Sequence, residues 1–238
     1  MKRLINDGYE VVEEMLEGYA AANKQYVDLD LENRVVVSKL MSEEPRVRVI
    51  VGGGSGHEPK FLGYVGKDFA DAAVVGNVNT SPAPDACYEA VKAVDSGKGC
   101  LYLYGNYAGD VMNFDMAKDL AEMDDIEVDS ILVDDDIAVE DSTYTQGRRG
   151  VAGTVLVHKI IGSMAREGKS VSELASYGKE LVKDIKTVGI ALSGATVPEV
   201  GKPGFVLADD EMEFGVGIHG EPGYRREKIK DSYDIAKE

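Results

Sequence analysis

Cysteine, histidine and basic residues are all scarce in this chain: it has 2 Cys, 3 His, and 26 Lys plus Arg against 43 Asp plus Glu. Neither Cys87 nor Cys100 has a second Cys or a His at zinc-site spacing, so no metal site is expected from them. Both lie among apolar residues, in DACYEA and GKGCLYLYG, and read as reduced core residues of a cytoplasmic protein. The shortage of bases leaves a formal net charge of -17, which repels phosphate backbones and anionic lipid. Nucleic acid and membrane are therefore excluded as expected partners. No apolar run approaches the roughly 20 residues of a membrane span, and MKRLINDGYEVVEE carries charge with no long apolar stretch behind it, so no secretory signal is expected. What is present, 44% hydrophobic and 29% charged residues over 238 positions, is the composition of a globular protein of one large domain or two small ones.

Ile5, Tyr9, Val12, Met15, Leu16 and Tyr19 recur at helical spacing, predicting an opening helix that ends near Asn23. RVRVIVG (46–52), AAVVG (72–76) and GCLYLYG (99–105) are short β-rich runs stopping at glycine, and SILVDDD (130–136) is a similar run stopping at acids. Helical patterns lie between them, at 85–94 and 111–123. Strands alternating with helices predict an α/β fold, with a mostly parallel sheet in a three-layer βαβ first domain. Two further helices are expected within 150–168 and 170–185, the second capped by Ser170. After Thr187 short strands joined by Pro/Gly turns take over. The chain is accordingly divided into residues 1–187 and residues 188–238, the latter the beginning of a second α/β domain, with a tail from Arg225 that looks helical or frayed.

Three segments can carry chemistry. VGGGSGHEPK (51–60) follows a strand; its glycines let the backbone approach a ligand, and His57 sits at the sheet edge where α/β folds bind ligands. It lacks the Gly-Lys-Ser/Thr ending of a nucleotide-phosphate loop. GNYAGD (105–110) reaches the same edge, so Asp110 can serve as an acid/base partner to His57 or, alternatively, cap the following helix. GVGIHGEPG (215–223) contains Gly215-x-Gly217-x-x-Gly220, a formal dinucleotide-loop match without the apolar helix such a loop needs. Its His219 is either a structural turn residue or an exposed imidazole able to attack a reactive carbonyl. Asp134, Asp135 and Asp136 are read as a solvated turn rather than a metal site. His158, inside VLVHKII, is read as structural.

GGGSGHEP, TSPAPD, NYAGD, VDDD, GRRGVAGTVLVHK and ADDEMEFGVGIHGEPG, in this order and spanning nearly the whole chain, resemble the dihydroxyacetone kinase substrate-binding subunit family. The resemblance implies that His219 forms a covalent hemiaminal with the ketone of dihydroxyacetone and that His57 and Asp110 act as acid/base partners. It further implies that Gly54, Ser55 and Gly56 hold the substrate hydroxyls. Phosphate would come from a separate nucleotide-binding subunit holding ADP, or ATP, with magnesium, recharged in many bacteria by the phosphotransferase system; this chain itself would bind no cofactor. A homodimer is expected. Two departures matter. The family commonly has a substrate-contacting Lys where this chain has Gly105, and its members usually continue well past the His219 motif, so the second domain is expected to be truncated. Gly105 keeps open an alternative, a non-catalytic dihydroxyacetone-binding sensor or coactivator. A dinucleotide-dependent oxidoreductase is a weaker third reading.

Overall fold

The computed structural model describes residues 4–140 and 147–238. Its larger sheet has six strands, β1 (Val27–Asp30), β2 (Val35–Ser38), β3 (Arg48–Ser55), β4 (Ala72–Val78), β5 (Cys100–Gly105) and β6 (Val128–Val133), in the order β1-β2-β4-β3-β5-β6. The four strands from β4 to β6 are parallel, while β1 and β2 form an antiparallel pair on the β4 edge. The mostly parallel α/β sheet expected from the sequence is therefore the one observed.

Alternation along the central strands explains the layers. Ile50, Tyr102 and Tyr104 point to one face, where they pack with α2 (Pro84–Val94) and α3 (Ala108–Met123). Val49, Leu101 and Leu103 point to the other, against α4 (Thr154–Arg166) and α5 (Val171–Leu181). α1 (Val11–Ala22) covers Val51 and Ala73 beside them. Strands apolar on both faces are what a sheet sandwiched between helices requires. α5 opens with the anticipated Ser170 cap, in full capping-box form with Glu173.

A second, antiparallel sheet is built from β7 (Ile190–Ala191), β8 (Glu211–Phe214) and β9 (Arg225–Lys228), followed by the short α6 (Ser232–Lys237). No helix among the described residues is long and apolar enough to cross a membrane.

Several local expectations change. α1 starts at Val11 rather than at Ile5. β3 does not stop at its glycines but runs through them: a Cβ on Gly52 would lie 2.6 Å from the Val74 carbonyl, and one on Gly54 2.6 Å from the Thr80 nitrogen. The glycines admit β4 and its following turn at close range; they do not end the strand. The acids after β6 are not a solvated turn either, since Asp135 and Asp136 are fully buried. Asp135 accepts from the backbone of Val151 and Gly153 and from the Thr187 hydroxyl, and Asp136 pairs with Arg149. The start of the tail is strand, not helix.

Candidate active site

The chain leaves β3 toward β4 on one side and passes from β5 to β6 on the other, so the carboxyl ends of β3 and β5 form a topological switch point, where open α/β sheets bind ligands. The turn after β3 carries His57, and the first turn of α3 carries Asp110. The 215–223 turn reaches the same place from β8. Arg149 ties it down: its Nε donates to Asp136 at 2.7 Å and its Nη2 to the Gly215 carbonyl at 2.8 Å. No recognition helix follows the turn; β9 does, which removes the dinucleotide reading.

His219 is the centre of the assembly. The ring of His57 stands edge-on to it with centroids 4.8 Å apart, and the ring of Tyr107 does the same at 4.7 Å. Glu221 holds it from behind, with Oε1 3.0 Å from His219 Nδ1 and Oε2 accepting the His219 backbone N–H at 2.9 Å. Burial alone would raise the Glu221 pKa, but these donors outweigh it and hold the carboxyl at about 2. An ionised carboxylate only accepts. Nδ1 must therefore carry the proton, and in the neutral ring Nε2 keeps its lone pair.

The neighbouring groups are biased toward neutrality. Burial, then the charges of His219 and Lys60, push the His57 pKa down to about 4 against a smaller opposing effect of Glu221. Its Nε2 is buried with no hydrogen-bond partner among the described residues. Asp110 is buried and its pKa rises to about 6, a burial effect partly offset by the Ser81 hydroxyl and the charges of His219 and Lys60. It is no helix cap: Tyr107 occupies that position, and Asp110 Oδ1 has no hydrogen-bond partner. No hydrogen bond joins Asp110 to His57; the two share His219 and Lys60 as neighbours.

The other anticipated residues fall as follows. Ser55 donates its hydroxyl to the Gly76 carbonyl at 2.7 Å, and the Gly56 N–H donates to Glu58 at 3.0 Å, so both donors are already engaged. With Val78, Thr196 and Ile218 they border a cavity of about 210 Å³. Gly54 lies against the Asn79–Thr80 backbone. Gly105 is buried at the end of β5, where an added Cβ would lie 3.1 Å from the Gly150 carbonyl. His158 is structural, fully buried with Nε2 3.1 Å from the Leu103 carbonyl. Among the described residues no group of three or more His, Cys, Asp or Glu could hold a metal ion.

Sequence reasoning missed Tyr107, Lys60, Glu221 and the Asp136–Arg149 strut. A signal for Glu221 was available. GHEP and HGEP each use their Glu to accept a backbone N–H two residues upstream, from Gly56 and from His219.

Comparison with known proteins identifies the family and the fold. A family model described as the Dak1 domain matches residues 17–238. The chain is 58% identical over 231 residues to the dihydroxyacetone-binding subunit DhaK of PTS-dependent dihydroxyacetone kinase 2 of Listeria innocua, covering 97% of this chain and 69% of that protein. The DhaKLM operon coactivator DhaQ of Lactococcus lactis is a more distant relative, 40% identical over 236 residues, with coverage of 99% and 71%. The crystal structure of the dihydroxyacetone kinase of C. freundii superposes with a TM-score of 0.89 at 33% identity, covering 98% of this chain and 43% of that one.

Proposed function

The chain belongs to the Dak1 domain family, and from that premise we propose that it captures dihydroxyacetone as a hemiaminal on His219 and presents it for phosphorylation. The observation that carries this reading is the His219 imidazole pinned through Nδ1 by Glu221, beside two buried polar atoms without partners, His57 Nε2 and Asp110 Oδ1. A buried polar atom left unpaired costs about 1–3 kcal/mol, and a small polyhydroxylated ketone supplies the missing partners.

In capture, the Nε2 lone pair forms the N–C bond and the carbonyl π pair moves to oxygen, which takes up a proton from solvent. The positive charge left on the ring is met by the Glu221 carboxylate, and neutral His57 hydrogen-bonds the new hydroxyl. In transfer, the Asp110 carboxylate accepts the proton of a terminal hydroxyl. That oxygen bonds the phosphorus of a donor held by a nucleotide-binding partner subunit, and the bond to the leaving group breaks with its electron pair. The adduct holds the hydroxyl in place, an orientational contribution to rate. ADP or ATP with magnesium belongs to the partner in this scheme. Residues 1–187 supply His57 and Asp110 and residues 188–238 supply His219, so the site is shared between the two units. A cytoplasmic location fits the two buried free thiols, and a homodimer is part of the same reading.

Gly105, which brings no side chain to the site, favours the second reading, a dihydroxyacetone-binding coactivator. Carbon-13-labelled dihydroxyacetone decides the capture step. The carbonyl resonance should move to the tetrahedral range with the natural protein, remain in place with His219→Ala, and have no counterpart with glycerol. Ordered substrate beside an unmodified His219 refutes capture. Turnover with a nucleotide-binding subunit separates kinase from coactivator.

A further inference from the structure

Lys60 lies three residues beyond His57, its backbone N–H donating to the His57 carbonyl at 3.0 Å. Its side chain is only 8% exposed, a rare condition for a lysine without a close ionic partner. No carboxylate is within ion-pair distance of Nζ among the described residues, and its one hydrogen bond goes to the Val151 carbonyl at 3.2 Å. An ammonium has three donors, so two remain. With His57, Tyr64, Val151 and Ile218, Lys60 borders a cavity of about 420 Å³.

A purely structural explanation would make Lys60 the counter-charge of Asp135. Asp135 does not need it, because Val151, Gly153 and Thr187 already donate to its oxygens. The other carboxylate whose field reaches Lys60 is Asp110, whose Oδ1 is unpartnered. Spare donors on Lys60 and a spare acceptor on Asp110 thus lie within electrostatic reach of each other without touching. A hydroxyl is the neutral group that both donates and accepts, and it completes both sides at once.

We propose that Lys60 is a further catalytic residue of this site, its ammonium donating to the same terminal hydroxyl that Asp110 deprotonates. It rests on the reading of the chain as the substrate subunit of a kinase. Asp110 takes the proton, the oxygen bonds phosphorus, and Lys60 keeps its own proton throughout, holding the charge that develops on the oxygen. The groups facing Lys60 are Asp110 on α3, Asp135 after β6, His158 on α4, and His57 and Tyr64 on either side of it in the chain. Burial brings the Lys60 pKa down to about 8 although both carboxylates oppose this. The ammonium is therefore present at neutral pH and lost as pH rises through about 8.

The test compares the natural protein, Lys60→Met and Lys60→Arg, each with a nucleotide-binding kinase subunit and its phosphoryl donor, across the pH range bracketing Asp110 and Lys60. Capture of labelled dihydroxyacetone is read in parallel. Loss of a hydrogen bond from a charged group corresponds to roughly 10- to 150-fold, so Lys60→Met should lose that much turnover while capture changes little. Natural turnover should decline above pH 8, and Lys60→Arg, which stays protonated, should keep part of the rate without that decline. Full turnover by Lys60→Met, or parallel loss of capture and turnover, overturns the proposal. Turnover without an adduct signal removes only the hemiaminal reading and leaves the Lys60 comparison valid. No turnover with a competent donor overturns both.

Discussion

Replacing Glu221 by Gln changes one atom pair and tests the logic of the site. The carboxylate accepts twice, from His219 Nδ1 at 3.0 Å and from the His219 backbone N–H at 2.9 Å. An amide has one acceptor oxygen, so its NH₂ must face one of these donors. If the oxygen stays on the backbone N–H, the NH₂ donates to Nδ1, moves the ring proton to Nε2 and removes the lone pair that attacks the ketone. If the oxygen stays on Nδ1, the ring keeps its tautomer but loses the charge that meets the imidazolium of the adduct. The second outcome is the smaller one. A charge-assisted hydrogen bond exceeds a neutral one by about 1–2 kcal/mol, or roughly 5- to 30-fold in capture. The Glu221 side chain is 35% exposed, so solvent screening places the effect toward the low end. Nitrogen-15 spectra of the histidine ring report the tautomer, and labelled dihydroxyacetone reports the adduct. A loss beyond about 30-fold accompanied by a proton on Nε2 identifies the flip. Unchanged capture, or an Nε2 proton in the natural protein, refutes the assigned role of Glu221.

Asp110→Asn should abolish most turnover yet raise stability at neutral pH. The folded pKa of about 6 lies above the ordinary 3.8, so the folded chain retains a proton that the unfolded chain has released and stability declines as pH rises between those values. A neutral Asn removes this cost, about 3 kcal/mol and several degrees in a thermal melt; a lower melting temperature contradicts it. Turnover of the natural protein should fall as pH drops through about 6 and Asp110 takes up its proton, which a pH–rate profile measures. His57→Ala should weaken capture of labelled dihydroxyacetone by roughly 2- to 10-fold, the loss of one neutral hydrogen bond to the adduct hydroxyl, and unchanged capture would remove His57 from that contact. Gly105→Lys should lower the melting temperature, because its Cβ comes within 3.1 Å of the Gly150 carbonyl and overpacking costs about 1–3 kcal/mol. It should not raise turnover if Lys60 already supplies the ammonium.

The sequence exposed the parallel strands because each is apolar on both faces and bounded by turn residues; SILVDDD and GCLYLYG could hardly be anything else. It concealed the β1–β2 hairpin for a physical reason. The strands are four residues long, and Arg34 adopts a φ of 53° in the connection, a left-handed conformation usually signalled by glycine or asparagine. The three histidines were separable by their surroundings, since two lie in glycine-rich turns and one in an apolar helix. Lys60 and Asp135 were not. Asp135 stands among other acids and reads as solvated, as a lysine does by default, and packing of residues distant in sequence, the 148–153 segment and Thr187 among them, over the end of the sheet buries both. Burial imposed by residues distant in sequence leaves no local periodicity to read.

The pKa shifts divide the site into two halves with different work. In front of the His219 ring, burial drives His57, Lys60 and Asp110 toward their neutral forms, to values of about 4, 8 and 6. Behind it, hydrogen bonds hold Glu221 as an anion despite its partial burial. In the proposed capture a ketone meets hydroxyl-binding groups on the front, and the charge its addition would create on the ring lies next to a carboxylate already in place, so little reorganisation would accompany bond formation. Glycerol can satisfy the same front groups but has no carbonyl, creates no ring charge and gains nothing from Glu221. On the proposed capture, discrimination between the two would come from bond-making rather than from cavity size, consistent with a site that borders cavities of about 210 and 420 Å³.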